Sequence, residues 1–200
     1  MISEIIKRII DIVGSLAGLI LLVPLLPFIA LAIKLDSRGP VLIRLHRVSQ
    51  GKIVDVYKFR SMTANAEKEK KNLLDLNERK DGPFFKIKND PRITKVGRFL
   101  RKFRLDEFPQ LINVLKGELS LVGPRPHEPA ELFSYPRQYR ELLVAKTGIT
   151  GLSQVNGASS LPFLKELEFD DFYIKNKSLW LDSKILFKTL LIFITDPTGI

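Results

Sequence analysis

The sequence predicts an α+β fold, mostly helical, on three observations. These are a long apolar run near the N-terminus, two β-rich stretches flanking a glycine turn, and several segments with helical spacing of apolar residues. The expected architecture is an N-terminal re-entrant membrane helix over residues 1–36, then a compact unit over residues 37–200 holding a small β-hairpin and amphipathic interfacial helices. At 200 residues and 45% hydrophobic content, the chain has the size of one domain and can bury a core.

The first element is the apolar run. Ile12 to Ile33 is 22 residues without a charge, enough for a helix of roughly 33 Å at about 1.5 Å per residue, the thickness of a bilayer core. No small-residue cleavage site follows, so the segment does not read as a signal peptide; a buried core helix is the other reading. Pro24 and Pro27 interrupt the run and predict a bend near Pro24. Lys7 and Arg8 precede it, and Lys34, Arg38, Arg44 and Arg47 follow, so both ends prefer the cytoplasm. A path that enters, breaks and returns puts Ser3 and Ser37 on one side; a kinked full span competes with it. Ser15 is too far in sequence to be an obvious partner for carbonyls freed at the break.

Pro40 to Met62 reads as a hairpin, with β-rich runs at Val41–Leu45 and Ile53–Phe59 around Ser49-Gln50-Gly51-Lys52. Thr63 to Lys80 is polar and reads as a solvated helix or loop with no chemistry of its own. A basic stretch from Lys86 to Arg104 follows, with Asp90 its single acid. Within it Val96, Phe99, Leu100 and Phe103 share a helical face. Two uses of such a helix stand: lying in a membrane interface, or packing on a core with its basic face solvated. Near the C-terminus, Leu179-Trp180-Leu181 and Ile185 to Ile194 form an apolar tail too short and too charged to span, which favours interfacial docking.

The net charge of +10 directs the chain toward anionic partners: nucleic acid, lipid head groups or phosphorylated substrates. No nucleic-acid motif accompanies the basic stretch. With no cysteine, disulfides and thiolate chemistry are excluded.

Leu105 to Gly117 predicts a helix from the spacing of Phe108, Leu111, Ile112 and Leu115, with Pro109 in its first turn and Gly117 as its stop. Asp106 and Glu107 then open that helix, where free N–H groups favour carboxylates and phosphate. One carboxylate can attack phosphorus while the other orients a metal; capping alone is the plainer alternative. Arg101 lies just upstream. Downstream, Arg125 stands between Pro124 and Pro126, which restrict its backbone and suit it to gripping a phosphate; a rigid surface turn is the other reading. His46 and His127 are isolated in sequence and read as structural or solvated.

Lys58-Phe59-Arg60-Ser61-Met62, Asn89-Asp90-Pro91-Arg92-Ile93-Thr94, Leu105-Asp106-Glu107, Gln110 to Gly117, Gly123-Pro124-Arg125-Pro126, Gly148-Ile149-Thr150-Gly151 and Gln154-Val155-Asn156-Gly157 occur in order. This set resembles that of the bacterial sugar transferases, the monotopic polyprenyl-phosphate phosphoglycosyl transferases of capsule, exopolysaccharide, O-antigen and glycoprotein pathways. The resemblance implies a catalytic unit at the cytoplasmic face of the bacterial inner membrane. There Asp106 attacks the β-phosphate of a UDP-sugar, expels UMP and passes the sugar phosphate to polyprenol phosphate. It further implies Mg²⁺ at Asp106 and Glu107. Phosphate or nucleotide contacts fall on Arg101, Pro124, Arg125, Pro126, Gln154, Asn156 and Asp170. Oligomeric state, sugar and carrier length stay open, and nucleic acid is not expected as a partner. Two departures stand out: Val23 where many members have Ser before the anchor proline, and Ala158 where Arg often follows Gln154-Val155-Asn156-Gly157. A non-catalytic membrane adaptor, and a transferase acting in one direct step with Asp106 serving only Mg²⁺, are the rival readings.

Overall fold

The computed structural model describes residues 2–157 and 160–195; Ala158 and residues 196–200 lie outside the described residues. Helix α1 (Ile2–Leu22) meets a 3₁₀ turn at Val23–Leu25, and α2 (Leu26–Asp36) continues from it. The change of helix type falls at Pro24, as its missing N–H requires. Ser15 donates to the Asp11 and Ile12 carbonyls of its own helix and takes no part in the break. The stretch Ile2–Asp36 is long and apolar enough to cross a membrane by length and composition.

The polar residues at the start of α1 fasten it to the rest of the chain. Lys7 Nζ donates to Asp182 Oδ2 (2.6 Å) and to the Val122 carbonyl (2.9 Å). Arg8 donates to the Val114 and Leu115 carbonyls at the end of α5 (Gln110–Lys116). The Asp11 carboxylate accepts from Ser120 Oγ and Leu121 N. Gly14 and Gly18 permit the close approach, since a Cβ there would come within 2.6 Å of Leu121 and Leu111.

Beyond the break, Leu22 and Ile33 are buried in one cluster with Phe59 and Leu100, each worth about 1.5–3 kcal/mol of burial. Arg60 donates to the Ile33 and Ser37 carbonyls and so satisfies the end of α2. Both legs of the apolar segment therefore rest on one body. Ile20, Leu21, Leu25, Phe28 and Leu31 around the break stay exposed.

The hairpin is β1 (Leu42–Ser49) paired antiparallel with β2 (Lys52–Phe59), in register from Leu42–Phe59 to Ser49–Lys52. Gln50 and Gly51 both take positive φ, as a two-residue hairpin turn requires. Asn113, fully buried on α5, receives the N–H of Tyr57 and donates to the Asp55 carbonyl, which locks hairpin to helix. A short parallel pair, β3 (Ser120–Val122) with β4 (Gly148–Thr150), was not expected from the sequence.

The helix expected from Val96 to Phe103 forms as α4 (Lys95–Lys102), with Leu100 buried and Phe99 outward, and Arg92 in the connection before it is buried against Asp90. Two other expectations need correction. Thr63 to Lys80 forms α3 (Ala66–Lys70) and a 3₁₀ segment, Lys71–Leu76, but ends on Arg79, a buried cation. Asp106 and Glu107 do not open α5; they sit in a 3₁₀ turn, Leu105–Glu107, entered through Arg104 in the left-handed region (φ 52°). Gly117 ends α5 at φ 83°, as expected. Among the described residues, three α-helices follow β4: α6 (Leu152–Val155), α7 (Phe163–Lys175) and α8 (Leu179–Thr195), with Ile185 inward and Trp180 outward on α8.

Candidate active site

The 3₁₀ turn presents its two acids to a cavity of about 410 Å³, within the range of small-molecule sites. Nine basic side chains line it against six acidic ones, so the space is net positive. The cations come from separate elements: Arg47 and Lys58 from the hairpin, Lys70 from α3, Arg101 from α4, and Arg79, Lys86, Arg92, Arg104 and Arg125 from the connections. The short turn after Arg104 folds the chain back so that Asp106 lies against Lys58 and Arg101.

The two acids differ in surroundings. Asp106 is 6% exposed, and its Oδ2 lies 3.8 Å from Lys58 Nζ. Burial pushes its carboxyl above the ordinary value; the Lys58 ammonium pulls it back, and the Glu107 charge pushes it up again. Glu107 takes the hydrogen bond from Lys58 at 2.6 Å. Burial acts upward on this carboxyl too, but Lys58, by charge and hydrogen bond, together with the Arg125 and Arg104 charges, outweighs it and holds Glu107 below the ordinary value. Neighbouring carboxylates driven in opposite directions are equipped for different tasks.

Arg101 donates through Nε to Ser61 Oγ (2.9 Å), which fixes the plane of its guanidinium beside the cavity. Arg125 is held from behind. Its N–H donates to Asp170 Oδ2 (3.1 Å), and its Nη1 lies 3.8 Å from Glu166 Oε1. Asp170 is buried, and burial pushes it up to about 6. Phe85 lies under two of the cations, with the Arg92 and Lys70 charges 5.0 and 5.6 Å from its ring centre.

The residues singled out in the sequence divide into two groups. Asp106, Glu107, Arg101 and Arg125 line the cavity together. Pro124, Pro126, Gln154, Asn156 and Asp170 do not. Gln154 donates to the Ile149 carbonyl, and Asn156 donates to the Leu152 carbonyl and accepts from Lys188, so both amides serve the α6 region. His46 pairs with Asp55 on the exposed hairpin at 2.9 Å. His127 is buried, stacked on Phe84 at 5.1 Å and flanked by Glu131 and Glu166. Sequence reasoning missed Lys58, Arg79 and Glu166. Lys58 was legible as a lysine inside a β-rich run, whereas nothing in the sequence marked Arg79 or Glu166.

Among the described residues, no group of three His, Cys, Asp or Glu side chains is placed to hold a metal ion. Asp106 and Glu107 place two adjacent carboxylates at the cavity wall, the number Mg²⁺ commonly takes from a protein when water and substrate phosphates complete its shell.

A family model described as bacterial sugar transferase matches residues 2–196. The chain is 46% identical over 194 residues to the undecaprenyl-phosphate galactose phosphotransferase of Salmonella typhimurium, covering 94% of this chain and 40% of that protein. It is 43% identical over 202 residues to the UDP-glucose:undecaprenyl-phosphate glucose-1-phosphate transferase of Escherichia coli, with coverage of 94% and 40%. It is 39% identical over 197 residues to the UDP-N-acetylgalactosamine-undecaprenyl-phosphate N-acetylgalactosaminephosphotransferase of Aeromonas hydrophila, with coverage of 95% and 44%. The chain thus spans about two fifths of the length of these curated relatives.

Proposed function

The chain belongs to the bacterial sugar transferase family, and from that premise we propose that it moves a sugar 1-phosphate from a UDP-sugar to polyprenol phosphate, releasing UMP, through a covalent intermediate on Asp106. The observation that carries the proposal is a buried aspartate beside Glu107 at the wall of a cationic cavity of about 410 Å³. The carrier is undecaprenyl phosphate, by analogy with the names of the relatives.

The chemistry follows from the placement of the groups. A carboxylate oxygen of Asp106 attacks the β-phosphorus; its bond to the oxygen bridging the two phosphates breaks, and UMP leaves with the electron pair. The phosphate oxygen of the carrier then attacks the same phosphorus and restores the carboxylate. Burial makes Asp106 poorly solvated and so more reactive as a carboxylate, while the Lys58 charge favours its ionised form. Arg101 and Arg125 take up charge on the phosphates. Mg²⁺ held by Asp106 and Glu107 would neutralise phosphate charge at the same place.

The location proposed is the inner membrane, with residues 1–36 as a re-entrant anchor and the catalytic unit on the cytoplasmic side. Support comes from the exposed apolar residues around Pro24 and from the fastening of both legs to one body. The test is direct. The chain in nanodiscs, given UDP-sugars, Mg²⁺ and no carrier, is expected to release about one UMP per enzyme and gain the mass of one sugar phosphate on Asp106. Carrier-dependent turnover with no adduct, persisting in Asp106→Asn, would overturn the covalent route. No UMP from any UDP-sugar, with or without carrier, would favour a non-catalytic membrane adaptor.

A further inference from the structure

Glu166 is fully buried on α7, among the apolar side chains around Phe163 and Leu167. Three cationic or titratable groups converge on it: His127 Nε2 at 3.6 Å, Arg125 Nη1 at 3.8 Å and Arg79 Nη1 at 3.9 Å. Neither of its oxygens accepts a hydrogen bond from the described residues. A carboxylate in such a position is costly, and a well-packed apolar side chain would fill the same space at lower cost. Its charge therefore needs a purpose beyond packing.

One turn further along α7, Asp170 receives the backbone N–H of Arg125. Residues at i and i+4 share a helical face, so the two acids meet Arg125 from one side, one through its main chain and one through its guanidinium. The Arg125 side chain also lines the cavity and is 38% exposed, so its guanidinium is not enclosed by these acids. Pro124 and Pro126 narrow the backbone choices of the loop. A long side chain on a stiff loop still has rotamer freedom, and Glu166 is the group placed to remove it.

We propose that Glu166 is a positioning residue, whose buried charge holds the Arg125 guanidinium in the orientation that receives the diphosphate of a nucleotide. This rests on the reading of Arg125 as a phosphate contact. Glu166 touches no substrate and acts only through its arginine.

The test uses UDP, which presents the diphosphate without reacting, and reads affinity by calorimetry on the full chain in nanodiscs. Arg125→Ala, Glu166→Gln and the double variant form a cycle, with thermal melting as the check on folding. Glu166→Gln is expected to weaken UDP binding about tenfold, the low end of the cost of removing a supporting partner at a ligand site. The double variant is expected to bind no worse than Arg125→Ala alone. If Glu166→Gln does not fold, Glu166→Asp keeps the charge while withdrawing it by one methylene, and replaces it in the same cycle. Wild-type affinity in the Glu166 variant, or a loss that adds to that of Arg125→Ala, overturns the positioning role while leaving Arg125 as a phosphate contact. An Arg125→Ala chain that binds UDP as well as wild type removes that contact itself, and the positioning role with it.

Discussion

Lys58 Nζ lies 2.6 Å from Glu107 Oε1, and this pairing leaves Asp106 without a direct bond to its nearest cation. The lysine thus binds one acid of the pair and acts on the other through its field. Asp106 stays buried and elevated, but less than burial alone would set it.

The sign of that effect gives the first prediction. Asp106 must be ionised to attack, so turnover should fall as pH drops through its pKa. Lys58→Gln removes a group that lowers this pKa, and the acidic limb of kcat/KM should move to higher pH, beyond any loss of rate at the plateau. A limb at the same pH in the variant and the wild type would mean that Asp106 does not govern it.

Arg125→Lys gives the second. An ammonium can replace the charge but not the planar fork that meets two phosphate oxygens, nor the edge held toward Glu166. The expected loss in kcat/KM is at least about tenfold, on the order of 1.4 kcal/mol of transition-state stabilisation. Steady-state kinetics with a UDP-sugar decide it; wild-type values would return Arg125 to a structural turn.

Much of this site was legible before the structure. Asp106, Glu107, Arg101 and Arg125 meet at one cavity, and the break at Pro24 and the hairpin turn fall where their residues require. What escaped has physical reasons. Three-residue strands such as β3 and β4 are too short to show alternation. The turn at Asp106 depends on Arg104 adopting positive φ without the glycine that would advertise it. Arg79 ends a charged run and looks solvated, yet the fold seats it over Phe84 at 4.6 Å. Glu166 sits on a helix whose neighbours decide its meaning, and those neighbours are about 40 residues or more away in sequence.

Asp170 supplies a third prediction, on stability. Its folded-state pKa is raised to about 6 from an ordinary 3.8, so the folded chain binds the extra proton between those values. Stability from this group is therefore greatest at low pH and is lost as pH rises from about 4 to about 6. Asp170→Asn keeps an acceptor for the Arg125 N–H and cannot ionise. Melting temperatures of the two proteins should move apart in favour of the variant as pH rises through this window. A constant difference across it would show that Asp170 titrates elsewhere.

The last prediction concerns the path of the apolar segment. Lys7 reaches Asp182 at one end, and Arg60 takes the Ile33 and Ser37 carbonyls at the other, so both ends are fastened to the body that carries Asp106. A straight helix over these 35 residues would separate its ends by roughly 50 Å at about 1.5 Å per residue, with a bilayer between them. The two fastenings oppose that, and the exposed apolar residues from Ile20 to Leu31 mark the part that would enter the membrane. The chain has no cysteine, so single thiols report cleanly. Ser3 and Arg38 are exposed on either side of the segment. In intact cells, Ser3→Cys and Arg38→Cys should each resist a membrane-impermeant thiol reagent and each react once the cells are opened. Labelling of Ser3→Cys from outside, with Arg38→Cys protected, would establish a full span and detach α1 from the contacts that Lys7, Arg8 and Asp11 make. The reverse pattern would place Asp106 on the outer side, away from the compartment that supplies nucleotide sugars, and would count against the transferase reading as well as the anchor.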